Sequence, residues 1–260
     1  LHLAAAEPLL KRLAEIGLTA VAFETVQELD GSLPLLAPMS DIAGRLAVQV
    51  GTHLLHLPQG GKGLLLGGLP GARRGRVTII GPGTAGGNAA VLAAAAGAEV
   101  TVFDRRRDRL EQMRSLGPNV TALYPYGHTV AEAVAGADLV IGAVLIPGKR
   151  AAHVVDEATV RAMEKGSVVV DISVDQGGCI ATTRPTTYAD PTYVWEGVTH
   201  FAVTNMPGAV PHSATAALSA VLLPYLLTLA APGWDGNPAL HAGINLRGGE
   251  VVHPALKGLS

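Results

Sequence analysis

The chain has 260 residues, with 48% hydrophobic and 15% charged side chains, 32 glycines and a formal net charge of −2. That length accommodates one large domain or two modest ones with a sizeable buried core, and the balance is that of an α/β globular protein, not a disordered or fibrous chain. The charge offers no basic field to a nucleic acid, and the one basic run, Arg105-Arg106-Arg107, is too short to form such a surface.

In chain order, Ala4 to Ile16 has helical spacing, with Leu9, Leu10, Leu13 and Ile16 on one side and Lys11, Arg12 and Glu15 on the other. Gly17 ends it. The opening residues lack the basic region and long apolar core of a signal peptide, and with no initiator Met we expect the sequence to begin inside a longer protein. "TAVAFETVQ", residues 19–27, reads as a strand, and "DGSLPLLAP" as a turn and linker. Ser40 to Leu57 is helical again. The glycine-dense loop "PQGGKGLLLGGLPG" follows, near which a new domain starts.

Beyond Arg76, apolar strands alternate with helix-length segments: Val77–Ile80, Val100–Phe103, Val120–Leu123, Leu139–Ala143, Ser167–Ile172 and His200–Thr204. Parallel strands need such crossovers and are buried on both faces, so the pattern predicts an α/β fold with a doubly wound parallel sheet, a Rossmann fold. Ser213–Leu229 reads as a long helix leaving that sheet. The apolar stretch Ala214–Ala231 contains Pro224 and many small residues, which points to a core or interface helix and not to a membrane span. The tail from Gly233 is loop-rich and carries no clear pattern.

After the first of these strands comes Gly81-Pro82-Gly83-Thr84-Ala85-Gly86, a G-x-G-x-x-G opening an alanine-rich helix. In a dinucleotide-binding turn Gly81 permits the sharp bend, Gly83 lets a pyrophosphate approach the backbone, and Gly86 lets the helix sit close on the strand. The helix N-terminus supplies amide donors and partial positive charge. The motif alone is weak, but here the strand, the helix and a second strand ending in Asp104 stand at the expected spacing of about 20 residues. Asp104 would accept hydrogen bonds from the adenosine ribose and repel a 2′-phosphate, which favours NAD over NADP; Arg105 to Arg107 argue the other way.

Ligands of doubly wound sheets gather at the carboxyl ends of strands, which directs attention to "IGAVLIPG", "DISVDQGGC" and "VTNMPG". Asp175 lies three residues past its expected strand and could face the nicotinamide half of a site, or could cap a turn. Asn205 has the same two readings. His2, between two leucines, reads by itself as a satisfied core histidine. Cys179 cannot form an internal disulfide, reads as a small packed side chain and fits a reducing cytoplasm. The nine histidines show no metal-ligand spacing, so no metal site is expected.

Read together, "LHLAA", "ETVQ", "LPLLAPMS", "AGRLAVQVG", "GTAGGNAA", "ADLVIGAVLIPG", "DISVDQGGC", "RPTTY" and "NMPGAVP" resemble the alanine dehydrogenase family, within the alanine dehydrogenase and pyridine nucleotide transhydrogenase group. The resemblance spans nearly the whole chain. It implies NAD-linked, reversible oxidative deamination of L-alanine to pyruvate and ammonia by a cytoplasmic homo-oligomer, a hexamer, that needs no membrane or nucleic acid. It also implies catalytic roles for His2 and Asp175. Cofactor contacts map onto Ser40, Thr84, Ala85, Asp104, Arg109, Val144, Leu145, Ile172, Ser173, Val174, Asp175, Arg184, Val203, Thr204, Asn205 and Met206, beside the motif glycines Gly81, Gly83 and Gly86.

The same resemblance divides the chain into a remnant of a substrate domain over 1–38, an NAD-binding domain over 39–206, and a return helix and tail over 207–260 packing on the substrate domain. In the family an arginine and a lysine upstream of "LHLAA" hold the substrate carboxylate, and these 260 residues contain no counterpart. Pro82 inside the glycine turn and "HSATAALSA" after "VP" are smaller departures. Two further functions are compatible with the sequence: an NAD-binding module impaired in catalysis, and the soluble nucleotide-binding part of a transhydrogenase.

Overall fold

A computed structural model describes residues 1, 3, 6–144 and 153–257. His2 and Leu145 therefore lie outside the described residues. The chain divides into two compact units, Leu1–Ser40 with Val210–Ser260, and Asp41–Leu145 with Arg150–Ala209.

In the first unit, helix α1 (Glu7–Ile16) ends at Gly17 in a left-handed conformation with φ 75°. The expected strand over 19–27 is confined to β1 (Ala20–Val21), after which Phe23–Thr25 forms a 3-10 turn. The cause is local, since the Thr25 hydroxyl lies within 3.2 Å of the Ala22 and Gly243 carbonyls and holds the backbone in a bend. Helix α2 begins here, at Ala37, and runs to Leu54. From the chain's far end come α7 (Pro211–Leu229), the short α8 (Pro238–Ala242) and strands β9 (Ile244–Arg247) and β10 (Glu250–Val251). The three strands form an antiparallel sheet in the order β1-β9-β10, with Ala20 opposite Leu246.

No residue of α7 is buried. One side, Val221, Leu222, Tyr225 and Leu229, packs half-buried against Val26, Leu35, Ala239 and Leu240, while Leu223, Leu226 and Leu227 stay exposed. This removes the core alternative from the expectation of a core or interface helix. Among the described residues it is the one helix long and apolar enough to cross a membrane.

The second unit is a seven-stranded sheet in the order β4-β3-β2-β5-β6-β8-β7, built from β2 (Arg76–Ile80), β3 (Glu99–Phe103), β4 (Val120–Leu123), β5 (Leu139–Gly142), β6 (Val168–Asp171), β7 (Thr192–Trp195) and β8 (Val198–Phe201). Six strands are parallel; β7 is an antiparallel edge that periodicity did not reveal. Helices α3 (Thr84–Ala95), α4 (Arg107–Arg114), α5 (Gly127–Ala135) and α6 (Glu157–Arg161) lie in the connections. The central strands are mostly apolar because both faces are covered: every residue of β5, β6 and β8 is buried, the polar Asp171, Thr199 and His200 included. Strand order reverses between β2 and β5, which puts a switch point where β2 ends.

At the opposite, amino-terminal end of the sheet, Asp138 is fully buried just before β5. Lys62 Nζ donates to it at 2.8 Å, Arg73 at 2.7 and 3.0 Å, and the Arg76 amide at 2.8 Å. Burial alone would raise its pKa, but these hydrogen bonds outweigh that and hold it down at about 2. Because the folded value lies below the unfolded one, the stabilisation is complete above about pH 4 and is lost as pH falls towards about 2. Asp138→Asn is expected to cost about 3 kcal/mol near neutrality, the low end for a broken buried pair since Arg73 is half exposed. Urea unfolding of both proteins from pH 7 to pH 2 checks this: the gap between them closes below about pH 4.

Candidate functional site

The site grows from the end of β2. Gly81 takes φ +89°, and its amide donates to the Phe103 carbonyl at 3.0 Å. A Cβ on Gly86 would lie 2.1 Å from the Gly81 carbonyl oxygen, so α3 sits backbone against backbone on the strand end. Gly83, in contrast, faces open space with no atom within 4 Å of where a Cβ would be. No side chain caps that end of α3, which leaves its first-turn amides as available donors with the positive end of the helix dipole beside them.

An open cleft of about 380 Å³ adjoins the turn. Pro82, Gly83, Thr84 and Asn88 contribute to its lining, with Arg109 and Gln112 from α4 and Arg45 from α2. Two arginines and no carboxylate line it, an arrangement suited to an anionic group.

Asp104 follows the last residue of β3 and is 10% exposed. One carboxylate oxygen accepts from the Arg106 amide at 2.6 Å, and the other stands 3.4 Å from Arg109. The basic run that argued against NAD is partly neutralised by its own helix. Arg106 pairs with Asp108, and Arg107 with Glu111 at 2.8 Å.

At the far side of the switch point, Val144 follows β5 and would touch a Gly81 side chain. After β6 the expected strand residue Ile172 instead opens a 3-10 turn, Ile172–Gln176, which carries Ser173, Val174 and Asp175. Asp171 causes the early stop, because its side chain accepts from the Ser173 amide at 3.0 Å and caps the turn. After β8 come Val203 and Met206, both buried, with Thr204 and Asn205 between them. Asn205 takes a left-handed φ of 55°, and its amide donates to Asp175 at 3.4 Å. The two residues singled out at these strand ends therefore meet. Ser40 belongs to the first unit, near the start of α2.

Arg184 is held through its backbone and its charge together. Its amide donates to the Tyr193 hydroxyl at 3.0 Å, and its guanidinium lies 4.2 Å from the centroid of the same ring. Tyr193 donates in turn to the Thr182 carbonyl and stacks on the buried His200 at 5.0 Å. His200 Nδ1 lies 3.0 Å from the Val198 carbonyl, which can only accept, so Nδ1 carries the proton and Nε2 accepts from the Thr182 hydroxyl at 2.8 Å. Burial pushes His200 below its usual pKa, keeping it neutral. Neither His200 nor Tyr193 is singled out by the sequence: Tyr193 lies on β7, which periodicity did not reveal, and His200, on β8, reads only as the start of a strand. Cys179 is buried and its thiol is pushed up to about 12 by burial and by Asp171, in keeping with a packed, protonated side chain. Among the described residues no His, Cys, Asp or Glu group could hold a metal ion.

A sequence model of the alanine dehydrogenase/PNT C-terminal domain matches residues 47–254. The chain belongs to that family. It is 53% identical to the alanine dehydrogenase of Geobacillus stearothermophilus, over 98% of this chain and 70% of that one, and 48% identical to the Bacillus subtilis alanine dehydrogenase. A solved L-alanine dehydrogenase superposes with a TM-score of 0.92 at 48% identity, covering 99% of this chain and 73% of the other. A transhydrogenase from Sinorhizobium meliloti gives 0.81 at 27% identity, over 98% of this chain and 72% of its own.

The turn geometry separates two glycine substitutions. Gly86→Ala drives a methyl into the Gly81 carbonyl and is expected to cost about 1–3 kcal/mol, as overpacking does, or roughly 3–10 °C of Tm for a chain of this size. Gly83→Ala meets nothing and should cost less than about 1 kcal/mol, the scale of a changed helix cap. Thermal unfolding of both variants, with equal losses, would contradict the close approach described.

Proposed function

We infer that this chain is the cofactor-binding and catalytic portion of an NAD-dependent alanine dehydrogenase, which converts L-alanine, water and NAD⁺ reversibly into pyruvate, ammonium, NADH and a proton. The observation that carries this reading is the 53% identity to an alanine dehydrogenase across 98% of the chain. The transhydrogenase likeness, at 27% identity, is the weaker one.

The residues fit the dinucleotide. Gly81, Gly83 and Gly86 shape the turn, while the amides of Thr84 and Ala85 at the open α3 end would receive the pyrophosphate. Asp104 would take the ribose hydroxyls, with Arg109 beside it. Ser40, Val144, Leu145, Ile172, Ser173, Val174, Arg184, Val203, Thr204, Asn205 and Met206 would contact the rest. When bound, the nicotinamide accepts a hydride from the α-carbon of the amino acid.

For the proton steps we assign His2 and Asp175. An imidazole titrates near neutrality and can take a proton from the substrate amine or from attacking water without a large shift. The Asp175 carboxylate can hold that water and stabilise the positive charge on the substrate imine carbon and nitrogen. We place the enzyme in the cytoplasm as a homo-oligomer, a reading supported by the exposed Leu223, Leu226 and Leu227 along α7 and by the lone buried Cys179.

Two measurements test this. Calorimetry with Asp104→Ala should show NADH binding weakened by about 1.5–3 kcal/mol, roughly 10- to 150-fold, as for hydrogen bonds to a charged group; NADPH bound more tightly than NADH by the parent chain would assign the arginine run the deciding role. Absorbance of NADH with L-alanine, glycine and L-serine should show little turnover by these 260 residues alone, and turnover of L-alanine once a family-like amino-terminal segment is joined. In that longer protein Asp175→Asn and His2→Ala should each lose roughly 100-fold in kcat. NAD binding with no oxidation of any of the three amino acids would reject the dehydrogenase reading.

A further inference from the structure

Asp171 is the last residue of β6 and is fully buried, yet among the described residues it forms no ion pair. Its charge is met by neutral donors instead. The Ser173 amide and hydroxyl reach one oxygen at 3.0 and 2.7 Å; the Cys179 amide and Thr183 hydroxyl reach the other at 3.0 and 2.7 Å. These donors come from both ends of the segment 173–183, so a single carboxylate closes an eleven-residue loop on itself. Two glycines pack closely against it. A Cβ on Gly178 would lie 2.9 Å from one Asp171 oxygen, and a Cβ on Gly142 would lie 3.1 Å from the other.

Asp175 rides on the 3-10 turn that this loop begins with. The turn's start is fixed at Ser173, and the chain returns to the same carboxylate at Cys179, so the position of Asp175 beside the Asn205 amide follows from where Asp171 stands. We propose that Asp171 is a positioning residue for the reaction: its buried carboxylate sets the 173–183 loop and through it the catalytic Asp175. The proposal rests on the dehydrogenase reading for the role of Asp175, while the folding of the loop stands apart from it.

Amide hydrogen exchange of the complete protein, parent against Asp171→Asn, reads the first step without any turnover. Protection at Ser173, Cys179 and Ile180 should fall roughly tenfold or more while β5 and β6 keep theirs. Unchanged protection at those amides, or equal loss across β5 and β6, overturns the proposal. Kinetics read the second step. Asp171→Asn should lower kcat for L-alanine at least roughly tenfold, and adding Asp171→Asn to Asp175→Asn should slow the enzyme no further. Multiplying losses would make Asp171 merely structural and overturn the claim.

If Asp171→Asn does not fold, Thr183→Val removes one donor and should give the same exchange pattern on a smaller scale, with loss spread over the sheet counting against the proposal. An Asp175→Asn protein with parental kcat would reject both the role of Asp175 and its positioning. Intact turnover loss in Asp175→Asn with no exchange change in Asp171→Asn rejects the positioning alone.

Discussion

Two buried carboxylates, one at each end of the parallel sheet, set the terms on which the second unit folds. A charge taken out of water must be solvated by the protein or it will neutralise or unfold its surroundings. Asp138, before β5, answers with cations: Lys62 and Arg73 arrive from the glycine-rich segment after α2 and pin it beneath the strands. Asp171, at the end of β6, answers with amides and hydroxyls, and so organises the loop that leaves the sheet. One acid closes the amino-terminal end of the strands, and the other shapes the loop at their carboxyl end.

Between them the glycine turn depends on backbone contact and not on side chains. Gly86 lies on Gly81, and Gly44 of α2 lies as close on Ala85, where a Cβ would come within 2.0 Å of its carbonyl oxygen. Asn88 adds a hydrogen bond of 2.8 Å to Asp41 of the same α2. The start of α3 is thus clamped on two sides, which keeps its amides ordered without a capping side chain. Order of this kind lowers the entropy lost when a ligand is received.

The parts that were legible in the sequence are those whose cause is local. Val77–Ile80 and Leu139–Gly142 are mostly apolar because both sheet faces are covered, and the glycine spacing reports a turn that only glycine can make. What was missed is decided over distance. β9 exists because it pairs with β1 more than 200 residues earlier, and β7 is a short, half-exposed edge next to Pro191 with no period of its own. Asp175 and Asn205 could be picked out as polar residues past strand ends, but their meeting depends on a left-handed Asn205 that no spacing announces. Asp171 falls in sequence inside the expected strand Ser167–Ile172 and is not singled out there. Its further donors, Cys179 and Thr183, are eight and twelve residues away across a loop.

The different solvation of the two acids also fixes the electrostatics of the ligand end. Cations cancel Asp138, whereas the donors around Asp171 at the end of β6 are amides and hydroxyls that lower the energy of its charge without removing it. On the β2 side the cleft presents Arg45, Arg109 and the amino end of α3. An oxidised nicotinamide dinucleotide has the complementary pattern, anionic at its pyrophosphate and cationic at its reactive ring. The reduced ring is neutral and forgoes the attraction at that end. A cation beside Asp171, the solution adopted at Asp138, would cancel the charge that its neutral donors leave in place.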